Sequence, residues 1–193
     1  MRRLVFCFWF ALLSFGAAQT GGSVTSPQTS VGQPSNGQLL SVEADIIAAL
    51  NAATEELMIA TPQLLAPKIA DAVRVALVER GVSVYILSPT EGIEAPASYL
   101  ASLSLAGAAL RVAPAYEPFI VIDRQSVLAG ALISEGTKVP GQSAGATFLT
   151  TDATYAAPFV ESFYASFDAA QPYDIGAFLE RQRQTFIQEE EGP

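Results

Sequence analysis

The run Val82 to Leu87, VSVYIL, is apolar and rich in β-branched residues. A strand that is apolar on both sides is characteristic of an interior parallel strand with helices over each face. The segment before it fits that setting. Pro67 suits the first turn of a helix whose Ile69, Val73, Ala76 and Leu77 share one face, and Gly81 stands where a left-handed C-terminal residue is wanted. Leu57 to Ala60 reads as a short buried strand ahead of it, so strand, helix and strand follow one another and imply a right-handed crossover. The predicted class is α/β, with a mixed, mostly parallel central sheet. Half the chain is apolar, 50%, which suits a sheet covered on both faces.

The remaining elements are placed by the same signals. Ser41 can cap a helix in which Val42, Ile46, Ile47, Leu50 and Ala53 recur at helical spacing. Pro89 to Pro96 reads as a polar loop, Ser98 to Leu105 as a short helix ending at Gly107, and Ala108 to Val112 as a third strand. Phe119 to Ile122 and Val127 to Ala129 predict two strands joined by the hairpin-like connection Asp123 to Ser126. Gly136 to Gly145 reads as a flexible loop and Ala146 to Thr150 as the last strand. A helix follows with Phe159, Phe163 and Phe167 at spacing of four, on its core face. Asp174 caps a final helix with Ile175, Phe178, Leu179 and Phe186 on one side. Residues 189–193 read as an acidic tail, and no internal repeat is present.

The N-terminus points to export. Arg2 and Arg3 precede an apolar run from Leu4 to Phe15 and the small residues Gly16, Ala17 and Ala18, the layout of a secretory signal peptide over 1–18 cleaved after Ala18. An uncleaved membrane anchor would need roughly 20 apolar residues, and this run is shorter. Phe6 is too bulky for lipid modification at Cys7. Residues 19–38, QTGGSVTSPQTSVGQPSNGQ, offer almost nothing to bury and read as a disordered tether, leaving one domain over 39–188. The expected location is secreted or periplasmic, with no transmembrane span once the leader is gone.

Removing the leader takes away the sole cysteine. With no disulfide, the domain must be stabilised by apolar burial, and about 150 residues can bury roughly 68–70% of their unfolded surface. The 10 basic residues fall to 8 against 19 acids, a mature net charge of −11, with Lys68 and Lys138 the remaining lysines. Nucleic-acid affinity comes largely from Lys and Arg neutralising phosphates, so nucleic acid is disfavoured as a partner. The acidity is most simply a solubility feature.

Taken together, AALNAATEELMIATPQLLAPKIADAVRVALVERGVSVYILS, LAGAALRVAP, FIVIDRQSVLAG and FVESFYASF resemble the phospholipase D superfamily over Ser41 to about Ala170. The resemblance implies a helix–sheet–helix sandwich and a His-x-Lys-x4-Asp signature followed by a Gly-Ser pair. Laid onto this chain, the Asp falls on Asp123 and the Gly on Gly130, while Ala131 takes the Ser position, Pro118 the Lys position and Tyr116 the His position. In that family the histidine attacks phosphorus, a second copy's histidine protonates the leaving group, lysines bind phosphate oxygens and the Asp orients the imidazole. This chain contains 0 histidines. Tyr116, with an ordinary pKa near 10, is a weak nucleophile, and Pro118 offers neither charge nor a donor. Glu117 adds negative charge where phosphoryl transfer needs positive.

The resemblance therefore implies a degenerate single-copy motif, with no confident catalytic residue, on a domain that binds or assembles. Single-motif members pair two copies across a two-fold axis, so a homodimer is implied, beside an unknown protein or envelope partner. The alternative is a phosphodiester hydrolase working through a non-histidine site. Arg111 is near enough in sequence to help Tyr116 hold an anion, or is a plain surface arginine.

Other patterns are weaker. Gly141-Gln142-Ser143-Ala144-Gly145 matches the serine-hydrolase elbow, yet it lacks the preceding strand and following helix, and no histidine is present to activate Ser143. A Ser–Lys dyad would have to use Lys68 or Lys138, with no fixed geometry. Glu91, Glu94, Glu117 and Asp123 lie near predicted strand ends, but their spacing selects no pair for glycoside hydrolysis. No Asp-rich calcium loop occurs, and no metal or cofactor is expected.

Overall fold

Burial on both sides sets the interior strands. The computed structural model describes residues 37–41, 43–114, 117–136 and 147–190, with residues 189 and 190 by backbone alone, all within the unit Gln33–Pro193. In chain order the elements are β1 (Gln38–Leu40), α1 (Glu43–Asn51), β2 (Glu56–Ala60), α2 (Pro67–Arg80), β3 (Ser83–Ser88), α3 (Thr90–Ile93), α4 (Leu100–Leu105) and β4 (Ala109–Val112). They continue with β5 (Phe119–Ile122), β6 (Ser126–Gly130), α5 (Leu132–Glu135), β7 (Thr147–Thr150), α6 (Ala153–Ala169), β8 (Gln171–Pro172) and α7 (Ile175–Glu190). The strands form one sheet in the order β1-β7-β6-β5-β2-β3-β4-β8.

Every residue of β2 is buried, as a central strand requires. Alternate side chains feed two cores. Leu57, Ile59, Val84, Ile86, Leu110, Ile120, Ile122 and Leu128 pack with Ile46 and Leu50 of α1 and with Ile69, Val73 and Ala76 of α2. Met58, Ala60, Leu87, Val121 and Val127 pack on the opposite face against Ala156, Phe163 and Phe167 of α6. This is the helix–sheet–helix sandwich that the sequence implies. Phe163 and Phe167 are core residues, as expected, and Phe159 is half-buried against them.

Two helix ends show how local chemistry fixes the layers. Gly81 closes α2 with φ 72°, and the Val82 N–H donates to the Ala76 carbonyl at 3.0 Å. Helix α1 has no basic residue in its last turn; Arg80 of α2 instead donates to the carbonyls of Leu50, Asn51 and Ala53 at 3.0, 2.6 and 3.1 Å. Cation and carbonyl ends thereby join the two helices.

Several expectations need correction. The sheet is mixed, but only β2–β3 and β3–β4 pair parallel, while the other five pairings are antiparallel, so it is not mostly parallel. The reason is that β5, β6 and β7 follow one another as neighbours on one flank, and the edge strands β1 and β8 reverse direction. The segment read as a polar loop at Pro89 to Pro96 contains α3, with Gly92 and Ile93 buried. A Cβ on Gly92 would lie 1.6 Å from the Pro62 carbonyl oxygen, a close approach that only glycine permits. Strand β1 extends into the segment read as tether, because Gln38 pairs with Leu149 of β7. The last strand is β8 rather than β7, α5 was not foreseen, and α7 runs to Glu190, so the acidic tail begins as helix. The leader, Cys7, most of the tether, Val42, Lys138 and the loop through 146 lie outside the described residues.

Helix α7 differs from the others. None of its residues through 188 is buried, and Phe186 is 64% exposed, whereas Phe163 of α6 is 1% exposed. Phe163→Ala is accordingly expected to cost about 3–5 kcal/mol in urea unfolding. Phe186→Ala should cost less than about 0.5 kcal/mol. Equal losses in the two variants would show that α7 is packed against the domain.

Candidate functional site

Parallel β2, β3 and β4 point their C-terminal ends the same way, and β5 runs against β2 with Phe119 opposite Ala60. The start of β5 and the end of β6 therefore lie at that same end of the sheet, the usual ligand end of open α/β folds. Pro118 and Gly130 meet there: the Gly130 N–H donates to the Pro118 carbonyl at 2.9 Å. Pro118 is buried and Glu117 exposed. Gly130 has φ 142°, a backbone state that glycine alone adopts freely. The Ala131 carbonyl receives the Ser134 N–H at 3.2 Å, the Ser134 hydroxyl at 3.1 Å and the Glu135 N–H at 3.1 Å, which starts α5. Tyr116 lies outside the described residues.

The other polar side chains at this end serve the loops. The Thr61 hydroxyl donates to the Gln63 carbonyl at 2.6 Å, and the Ser88 hydroxyl to the Pro62 carbonyl at 3.3 Å; both residues are fully buried. Arg111 is also engaged: it lies 4.4 Å over the Phe167 ring and donates to the Phe167 carbonyl at 2.6 Å, fastening the C-terminal end of α6. Arg111 is half-buried and serves the fold here, while Tyr116, its partner in the anion reading, lies outside the described residues. Gly141–Gly145 with Ser143 is outside the described residues.

Asp123 stands elsewhere. The four-residue strand β5 separates it from Pro118, and it sits in the hairpin turn at the opposite end of the sheet. Its carboxylate accepts from the N–H groups of Thr54, Glu55 and Glu56 at 2.8, 2.8 and 2.9 Å and from the Thr54 hydroxyl at 2.9 Å. Burial alone would raise its pKa, but these donors outweigh that and hold it below the usual carboxylate value. The implied role of orienting a catalytic group gives way to a structural one: Asp123 clasps the chain entering β2.

Next to it stands a group that sequence reasoning missed. Glu56 is buried, and Arg124 Nε forms an ion pair with its Oε1. The Tyr164 hydroxyl donates to Glu56 Oε2 at 2.8 Å and accepts from Arg124 Nη2 at 3.1 Å. Burial first, and then the neighbouring Glu56 carboxylate, raise the Tyr164 pKa; the Glu56 hydrogen bond and charge raise that of Arg124. Asp123 and Arg124 have φ 48° and 58°, the signs of a type I′ turn, and the Gln125 N–H closes it on the Ile122 carbonyl at 3.0 Å. Arginine is a poor residue for a left-handed φ, so the ion pair helps hold what the backbone resists. An arginine where a tight hairpin favours glycine was the available signal.

The acidic candidates do not converge. Glu94 accepts from the Tyr173 hydroxyl at 2.9 Å and pairs with Arg181; burial and then that carboxylate push the Tyr173 pKa up to about 12. Glu91 is on α3, Glu117 precedes β5, and Asp123 is at the far end. Among the described residues no group of three His, Cys, Asp or Glu side chains could hold a metal ion, and no helix is long and apolar enough to cross a membrane.

An eight-stranded mixed sheet between helical layers, with the Pro118–Gly130 and Asp123 hairpin beside its centre, is a phospholipase D-like fold. The fold is similar to Nuc from Salmonella typhimurium, a phospholipase D family member, at TM-score 0.57 and 20% identity over 72% of this chain and 99% of that one. It is similar also to NucT from Helicobacter pylori, at TM-score 0.60 and 15% identity over 72% and 99%. TrmBL2, an archaeal chromatin protein described with a novel mode of DNA binding, matches at TM-score 0.53 and 18% identity over 76% of this chain and 57% of its own. These likenesses concern the fold. Within it, the chain belongs to the family described as Transcriptional regulator TrmB, EBD N-terminal subdomain, whose model matches residues 40–171. No curated protein matches the sequence.

Asp123→Asn keeps a residue that tolerates positive φ but removes the charged acceptor, and is expected to cost about 1–3 kcal/mol at pH 7. Because the folded pKa is lowered, the wild-type contribution is complete above about pH 4 and is lost as pH falls through the folded value. Urea titrations at pH 7 and pH 3 should therefore show a smaller acid loss in the variant. An unchanged acid loss would remove Asp123 from this role.

Proposed function

We propose that this is an exported, catalytically inactive phospholipase D-like domain that acts as a binding or assembly module and pairs with a second copy. The observation that carries the reading is the chemistry at the ligand end of the sheet. Pro118 contributes a buried ring and a carbonyl, Ala131 a methyl group and a carbonyl, and the exposed neighbour is Glu117. A developing phosphoryl charge would meet no cation from these positions. The match to a family described as a transcriptional regulator supports a non-catalytic role as well.

The same charges bear on nucleic acid. TrmBL2, as described, binds DNA, but all six described arginines of this chain are bonded within it: Arg74 to Asp71, Arg80 to α1 carbonyls, Arg111 to α6, Arg124 to Glu56, Arg181 to Glu94 and Arg183 to Glu180. Phosphate binding would compete with these contacts, leaving exposed Lys68 as the one described cation outside them, which favours a partner other than nucleic acid.

The full chain should not turn over bis-p-nitrophenyl phosphate with or without divalent metal, and Tyr116→Phe should change nothing. Turnover lost in that variant would establish a non-histidine hydrolase instead. N-terminal sequencing of the exported protein should begin at Gln19, and light scattering at micromolar concentration should give a dimer mass. A monomer would remove assembly by self-pairing from the proposal.

A further inference from the structure

We infer that the open groove between the entry to β5 and α6 binds a small organic ammonium cation; this rests on the binding reading above and names its ligand class. The groove encloses about 350 Å³ and is lined by Glu117, Phe119, Pro158, Phe159 and Ser162. That volume lies at the small end of ligand sites. Its floor is aromatic: Phe119 and Phe159 meet edge to face with centroids 5.3 Å apart, and Tyr155 continues the row 5.6 Å from Phe159.

The chemistry of the lining selects the ligand. Glu117 supplies a carboxylate, Ser162 a hydroxyl, and Pro158, inside α6, has no N–H to give the Thr154 carbonyl. Among the described residues no Lys or Arg lines the groove. The arginines that meet α6 are held further along it, Arg124 at Tyr164 and Arg111 at Phe167. An anion would be repelled by Glu117, and a neutral apolar group would cover that carboxylate without replacing its water. A cation with a methylated skin satisfies both surfaces, because ring faces attract it and the carboxylate neutralises it.

Titrating the isotopically labelled full chain with tetramethylammonium chloride, at ionic strength held constant with sodium chloride, tests this by amide shifts. Saturable shifts at Glu117, Phe119, Phe159 and Ser162 are expected, with little response to tert-butanol of similar size. Glu117→Gln and Phe159→Leu should each weaken binding by roughly two- to fivefold. Because Glu117 is exposed, its variant should keep the wild-type spectrum. Equal response to tert-butanol, shifts elsewhere, or unchanged affinity in Glu117→Gln would overturn the site. Tighter binding of N-acetyl-lysine amide would move the source to a peptide side chain and overturn the small-molecule assignment. Phosphodiester turnover would sink the inactive reading separately, since it is measured on another substrate.

Discussion

The clasp between the β5–β6 turn and the chain entering β2 is the contact on which the two cores depend. Strand β2 separates the parallel half of the sheet from the antiparallel half, being bonded to β3 on one side and β5 on the other. Its register against β5 is fixed at one end by four hydrogen bonds into Asp123 and by the Arg124–Glu56 pair. A slip of one residue would turn Leu57 and Ile59 from the α1–α2 core towards α6. The cost of placing Asp123 and Arg124 at positive φ is offset locally, because each side chain bonds to the residues whose position it determines. Tyr164 extends the same cluster to α6, so one polar group touches the sheet, the hairpin and the helical layer.

Much of the fold was legible in sequence because it rests on local signals. Pro67 and Gly81 bracket α2 as expected, and the spacing of Phe159, Phe163 and Phe167 marks the buried face of α6. What escaped was non-local. Strand direction on the β5–β7 flank depends on which neighbour each strand finds, and the short strands β1 and β8 exist only through pairing with β7 and β4. The apolar residues of α7 follow helical spacing as well as those of α6 do, yet Leu179, Phe186 and Ile187 remain exposed. Periodicity gives a helix its sides; it does not supply the element that covers one of them. The buried state of Glu56 was equally hidden, since its partners are 68 and 108 residues away.

Where the described arginines stand says more about this domain than its net charge does. A chain with 10 basic and 19 acidic residues could still concentrate its cations on one face. Here the described arginines are dispersed over α2, β4, the hairpin turn and α7, and each closes a helix end or neutralises a carboxylate. Arg80 of α2 caps α1 and Arg111 of β4 caps α6, work that a lysine would do less well because it cannot present a planar set of donors to several carbonyls. The guanidinium groups belong to the folding chemistry of the domain.

The motif positions divide along the same line. Asp123 and Gly130 match the superfamily pattern, and both have reasons that are independent of phosphate: Asp123 fastens β2, and Gly130 takes a φ of 142° where the hairpin closes on Pro118. Tyr116, Pro118 and Ala131 depart from it, at the positions where the pattern carries its nucleophile, its cation and its hydroxyl. Residues that the backbone needs are present and residues that only the reaction needs are not. A hairpin of this shape favours both residues whether or not a substrate is bound. Among the described residues, Glu117 and its aromatic neighbours stand at that end of the sheet, and their sign is the reverse of the one that phosphoryl transfer requires.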